Sequence, residues 1–149
     1  MAKLSVIAAL DHLMSTYKGI HLNSLRSTPR GHWINEAFVV RLWAVLESHG
    51  FVGNNISINN DLPGANDIDI CRRLRNEIGH ATGNVLDAEA QKLAERIRAQ
   101  YGLGTQQSVL DKKFILSKDT VLRPMFEGVR SYCLAVLDQG KEGSVSREA

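Results

Sequence analysis

The chain has little of most things that would declare its purpose at once. It contains two cysteines, Cys71 and Cys133, and neither has a metal-type or redox-type partner nearby in sequence. Both fall within apolar-periodic stretches, which predicts reduced core thiols of a cytosolic protein. No His-rich pair or carboxylate cluster stands at ligand spacing, and no glycine-rich phosphate loop leads into a helix. The expectation is therefore of no metal and no cofactor. No run approaches the roughly 18 apolar residues that a membrane span needs. The stretch from Met1 to Leu10 briefly imitates a signal peptide, but Asp11 and His12 cut it short and no cleavage site follows. A cytoplasmic protein with no membrane partner is expected.

Excess charge of one sign is also missing. Eighteen Lys and Arg against 16 Asp and Glu leave a formal charge of +2. A protein that coats a polyanion shows a stronger excess or a dense basic patch, so any contact with nucleic acid should be local and brief, as suits an enzyme. Internal repeats are absent, as are strands long enough to build a sheet. What remains is ordinary for a globular chain: 44% hydrophobic and 23% charged residues over 149 positions, one domain with room for a real core.

Apolar residues at helical spacing fill most of that length. Residues 3–18 predict a first helix with Leu4, Ile7, Leu10, Met14 and Tyr17 inward and Gly19 as its stop; His12 reads as a surface residue. Ser27 and Thr28 ahead of Pro29 predict the start of a second helix, about 30–48, with proline at the first helical position. Arg30 and His32 near that positive end read as a solvated turn or as a contact to phosphate. The second helix is apolar nearly all round, so a partner subunit is expected to cover part of it. Trp33 and Trp43 are its possible anchors, unless they fill the core. Residues 51–66 are rich in Asn and Gly, which predicts a long irregular connection able to form one wall of a cleft, with room for a short extended piece at Ile56–Ile58. A further helix is expected from its cap Asp87 to Tyr101, with Leu93, Ala94 and Ile97 inward and Lys92, Glu95, Arg96 and Arg98 facing water. A last helix spans about 117–138, with Pro124 as a kink or as its true beginning. Residues 139–149 have no apolar pattern and predict a flexible tail. Together these predict an all-α fold, an antiparallel bundle of about five helices forming a single domain over 1–138.

Chemistry concentrates between Asp67 and Gly83. Ile70, Leu74 and Ile78 recur every four residues and make a core stripe on a helix capped by Asn66 or Asp67 and broken at Thr82-Gly83-Asn84. Arg72, Asn76 and His80, also spaced by four, lie on another side with Arg73 and Arg75 beside them. Guanidinium, amide and imidazole groups bind phosphate and move protons near neutral pH. A plainer reading is available for the same residues, a solvated edge whose arginines pair with Asp69 and Glu77.

The run Arg75-Asn76-Glu77-Ile78-Gly79-His80, on a mid-chain helix of a short helical protein, resembles the signature of the HEPN family of small all-helical RNA-cutting toxin and defence domains. The resemblance implies a HEPN-like bundle and a metal-independent endoribonuclease, in a toxin–antitoxin, phage-defence or related stress system. It implies that Arg75 and His80 are catalytic, with Asn76 positioning the phosphate or the imidazole and with Arg72 and Arg73 as auxiliary phosphate ligands. It also implies an active site at a homodimer interface and leaves room for an antitoxin or regulatory partner. Helix geometry bears on the dimer: at about 100° per residue, Arg75 and His80 diverge by roughly 140° around the axis, so one helix does not readily aim both at one phosphate. The alternative is a non-catalytic HEPN-like module that binds RNA, a nucleotide or a partner protein through the same basic groove.

Overall fold

The helix carrying the motif sits in the middle of the molecule. In the computed structural model, residues 5–19, 29–80, 88–102 and 118–148 are described, with side chains placed within 5–19, 33–78, 91–102 and 120–140. Among the described residues five α-helices follow one another: α1 Ser5–Lys18, α2 Pro29–Ser48, α3 Ala65–His80, α4 Ala88–Tyr101 and α5 Arg123–Glu148. A π-helical turn, Lys118–Leu122, leads into α5. The protein is an all-α helical bundle, and among the described residues there is no strand. The extended piece considered at Ile56–Ile58 reduces to an isolated bridge between Gly53 and Ile56.

Packing explains the order. α3 lies chiefly against α5 and also against α2 and α4, while α1 covers α2 and α5. A helix embraced from several sides needs more than one apolar stripe. α3 accordingly buries Ile68 and Cys71 together with Ile70 and Leu74. Each fully buried aliphatic side chain of this kind stabilises the fold by about 1.5–3 kcal/mol. On α2, Phe38, Val39, Leu42 and Leu46 are buried; Tyr17 of α1 stacks on Phe38 with ring centroids 4.4 Å apart. The Tyr17 hydroxyl donates to Asn35 Oδ1 at 2.7 Å, and the Arg130 guanidinium meets Asp11 at 2.9 Å, so α1 is tied by polar contacts to α2 and α5 alike.

Helix ends follow local chemistry. The backbone N–H of Gly19 donates to the Ser15 carbonyl as α1 closes. Pro29 is the first residue of α2, where its missing N–H costs nothing. At the far end of α2, Gly50 adopts φ 78°, while Phe51 N–H reaches the Leu46 carbonyl at 3.0 Å and Gly50 N–H that of Glu47 at 3.2 Å. That pairing is a Schellman cap, with Phe51 and Leu46 both buried beneath it. Pro124 is the second residue of α5, so it marks the junction with the π-turn and falls where a helix tolerates proline. The helical backbone continues to Glu148, through the segment whose composition predicted a tail from 139.

The start of α3 differs from its sequence expectation. Neither Asn66 nor Asp67 caps it; the helix begins at Ala65, and the Gly64 carbonyl accepts the Ile68 N–H at 3.0 Å. Asp67 instead turns inward and is only 8% exposed. The two tryptophans part company. Trp43 is buried, as core filling would require, whereas Trp33 is 68% exposed. No described helix is long and apolar enough to cross a membrane.

Candidate functional site

The polar edge of α3, the last turns of α2 and the loop that joins them enclose a cleft of about 700 Å³. Its α3 wall presents Asp69, Arg72, Arg75 and Asn76. Trp43 and Glu47 line the α2 side, and Asn54, Ile56, Ser57 and Asn60 belong to the loop opposite. The Asn-rich connection therefore does form a cleft wall, and physical causes hold it there. Gly50 turns the chain off α2 through its left-handed conformation. The Asn59 N–H donates to the buried Tyr132 hydroxyl of α5 at 3.1 Å, and the Asp61 N–H to Asn59 Oδ1 at 3.0 Å. Gly64, at φ 81°, then swings the chain into α3.

The three arginines of the motif helix have different fates. Arg72 donates to Asp69 Oδ1 at 2.5 Å and Arg73 to Asp69 Oδ2 at 3.0 Å, as helical neighbours of opposite charge do. Asp69 accepts a third guanidinium, that of Arg96, whose other nitrogen bonds Asn66. Arg96 thus turns in to lock α4 onto α3, where the sequence pattern had it facing water. Desolvation pulls the Asp69 carboxyl upward, but hydrogen bonds from Arg96, Arg73 and Arg72 outweigh it and hold the pKa at about 2. Arg72 keeps a place on the cleft wall; Arg73 does not line the cleft. Arg75 makes no ion pair among the described residues. Its one polar contact there is Nη1 to Asn76 Oδ1 at 3.2 Å, which sets guanidinium and amide side by side at the cleft surface. Glu77, offered as a partner by the plainer reading of the sequence, forms no ion pair among the described residues.

His80 is the last residue of α3, and its side chain lies outside the described ones, as do the side chains of Arg30 and His32. Arg75 and Asn76 are therefore placed together in the cleft, and the position of the imidazole relative to them is not part of the described geometry.

A second polar cluster lies where α3 meets α4. The Tyr101 hydroxyl donates to Asp67 Oδ1 at 2.6 Å. Burial raises the Asp67 pKa, only partly offset by that hydrogen bond, and burial beside the carboxyl likewise pushes the Tyr101 phenol up. Burial, with Asp67 nearby, lifts the Cys71 thiol to about 12, and burial alone lifts that of Cys133 to about 12, so neither supplies a nucleophilic thiolate near neutral pH. Among the described residues no group of three or more His, Cys, Asp and Glu is placed to hold a metal ion.

Sequence reasoning missed Glu47 as a cleft residue and, having paired the motif arginines with Asp69, missed Arg96 as that carboxylate's third partner. Glu47 gives no signal, since a carboxylate in the last turn of a helix reads as surface. The role of Asp69 depends on Arg96, 27 residues away, and only packing reveals it. Compared with family models, with curated proteins and with solved structures, the chain matches none.

Proposed function

We propose that the chain is a metal-independent endoribonuclease of HEPN type, with the scissile phosphodiester lodged in the cleft against Arg75 and Asn76. The observation that carries this reading is the contrast among the arginines. Arg72 and Arg73 are each paired with Asp69, whereas Arg75, the arginine of the HEPN-like motif, lines the cleft and forms no ion pair among the described residues. An arginine left unpaired beside a cleft is available for the bidentate grip that phosphate oxygens accept.

RNA supplies its own nucleophile. A general base takes the proton of the 2′-hydroxyl, the 2′-oxygen bonds to phosphorus, the bond from phosphorus to O5′ breaks, and a general acid protonates the departing O5′. The products are a 2′,3′-cyclic phosphate and a 5′-hydroxyl. Arg75 stabilises the charge growing on the phosphoryl oxygens, Asn76 fixes the guanidinium or the substrate, and His80 moves the proton. The angular separation of Arg75 and His80 on one helix is resolved by a homodimer, in which a second copy supplies its own His80 so that one imidazole acts as base and the other as acid. Arg72 assists at the phosphate. A toxin–antitoxin or phage-defence setting, with a restraining partner protein, accompanies this reading.

The test is incubation of the purified protein with mixed RNA in EDTA beside the His80→Ala variant. Cyclic-phosphate ends that disappear in the variant support the enzyme. Tight RNA binding without cleavage supports the non-catalytic module in its place.

A further inference from the structure

The cleft is asymmetric in a way that catalysis on a phosphate leaves unexplained. Its cations, Arg72 and Arg75, are both on the α3 wall. Across from them stand neutral hydrogen-bonding groups, Asn54, Ser57 and Asn60, with the apolar Ile56, 41% exposed, among them. The side chains of Asn54, Ser57, Asn60 and Glu47 have no hydrogen-bond or ion-pair partner among the described residues. This differs sharply from Asp69, saturated by three guanidiniums. These side chains are exposed along a half-open cleft, and a polar group left uncommitted there is available to a ligand.

A nucleotide has the same division, with an anionic phosphate at one end and a flat base rimmed with donors and acceptors at the other. The cleft volume of about 700 Å³ lies within the roughly 300–1,000 Å³ typical of sites for molecules of that size. With a phosphate on Arg75, like-charge repulsion keeps it from Glu47, so the Glu47 carboxylate faces the base. A carboxylate only accepts hydrogen bonds. Guanine is the one standard base whose pairing edge offers two adjacent N–H donors, N1–H and N2–H, which match the two carboxylate oxygens. Such a pair forms only if the base is unpaired, because in a duplex that edge is occupied.

Resting on the preceding reading of the phosphate end, we infer that the cleft contains a base subsite selecting an unpaired guanine. Glu47 reads its pairing edge, Asn54 and Asn60 contact its remaining polar atoms, and Ile56 supports its face. Glu47 is then a specificity-determining residue for whichever strand is bound, and the subsite makes the protein selective at one nucleotide beside the scissile bond.

The experiment uses 2′-deoxy probes, which lack the nucleophile and cannot be cleaved by the proposed route, so binding is read apart from catalysis. In a Trp33→Phe background the buried cleft residue Trp43 is the single tryptophan, and its fluorescence reports occupancy. Thymidine pentamers carrying one central guanine, adenine, cytosine or thymine are titrated into this protein and into its Glu47→Gln variant, with circular dichroism confirming that both are folded. The expected result is guanine preferred by about tenfold, the scale of one bidentate base contact, and the preference abolished in Glu47→Gln. Equal binding of all four pentamers, or a guanine preference that survives Glu47→Gln, overturns the subsite. Placing the same guanine at the centre of a 20-mer and pairing that strand with its full complement should remove binding; duplex bound as tightly as the 20-mer single strand overturns it too. A protein that cuts RNA but shows no base preference defeats this inference alone, and one that prefers guanine but never cuts defeats the nuclease alone.

Discussion

Gly64 and Gly128 meet backbone to backbone where the chain enters α3 against α5. A β-carbon on Gly64 would collide with the Gly128 carbonyl oxygen, and one on Gly128 would overlap the Asp67 carboxylate. Close approach of α3 to α5 therefore rests on two missing side chains, and the buried carboxyl of Asp67 occupies the space that one of them leaves.

Gly128→Ala should lower stability by about 1–3 kcal/mol through overpacking, and Gly64→Ala by roughly 3–5 kcal/mol because its φ of 81° adds strain to the collision. Gly140→Ala, on open helical surface, should be neutral or stabilise by up to about 1 kcal/mol. Urea unfolding midpoints of the three variants check the order.

Asp69 and Asp67 should give opposite pH signatures. The Asp69 carboxyl is held at about 2 in the folded protein, below its ordinary value of 3.8, so its stabilising contribution is present above about 4 and is lost as pH falls toward 2. Discounted for the half-exposed Arg72 and Arg73, that contribution is about 1–2 kcal/mol. Asp69→Asn should lose this much at pH 7 and little at pH 2. Asp67 is raised in the folded state, so its share of stability is fully present below its ordinary value and is lost as pH rises through the folded pKa. Asp67→Asn keeps an acceptor for the Tyr101 hydroxyl and removes the buried charge. Relative to the parent chain it should gain as pH climbs through that window, as thermal melts at a series of pH values would show.

Arg75→Ala should reduce RNA cleavage in EDTA by about a hundredfold or more, the usual cost of removing a donor from a developing phosphoryl charge. Arg73→Ala should stay within a few-fold, since Arg73 is spent on Asp69 and does not line the cleft. Measured initial rates with one substrate separate the two; equal losses would refute the assignment of Arg75 as the phosphate-gripping arginine.

Tyr132→Phe should cost about 1 kcal/mol by depriving the Asn59 N–H of its acceptor. The effect should concentrate in the loop wall. Hydrogen exchange at the Asn59 amide should accelerate more than exchange along α1, and a uniform acceleration would show that the contact is not local.

Much of this architecture was legible in the sequence because it rests on neighbours. Pro29 opening α2, Gly19 beyond α1 and the stripe Ile70, Leu74, Ile78 on α3 depend on residues a turn or two away, and all stand where the pattern puts them. What was not legible depends on contacts between distant segments. Asp67 looks like a helix cap until Tyr101 and the bare Gly128 give it an interior to occupy. Arg96 looks solvated until α4 is laid beside Asp69. Within the candidate site, Arg72, Arg75 and Asn76 could be singled out as one polar edge. Glu47 could not, because nothing on α2 says which helix its last turn will face.

The Gly50 turn has one more implication. Its left-handed backbone fixes the direction in which residues 51–60 leave α2, and hence the distance from the loop asparagines to Arg75. The aperture is thus set in part by a corner that touches no occupant. Redesigning this protein for a bulkier or slimmer guest should begin by resetting that corner, leaving the lining untouched.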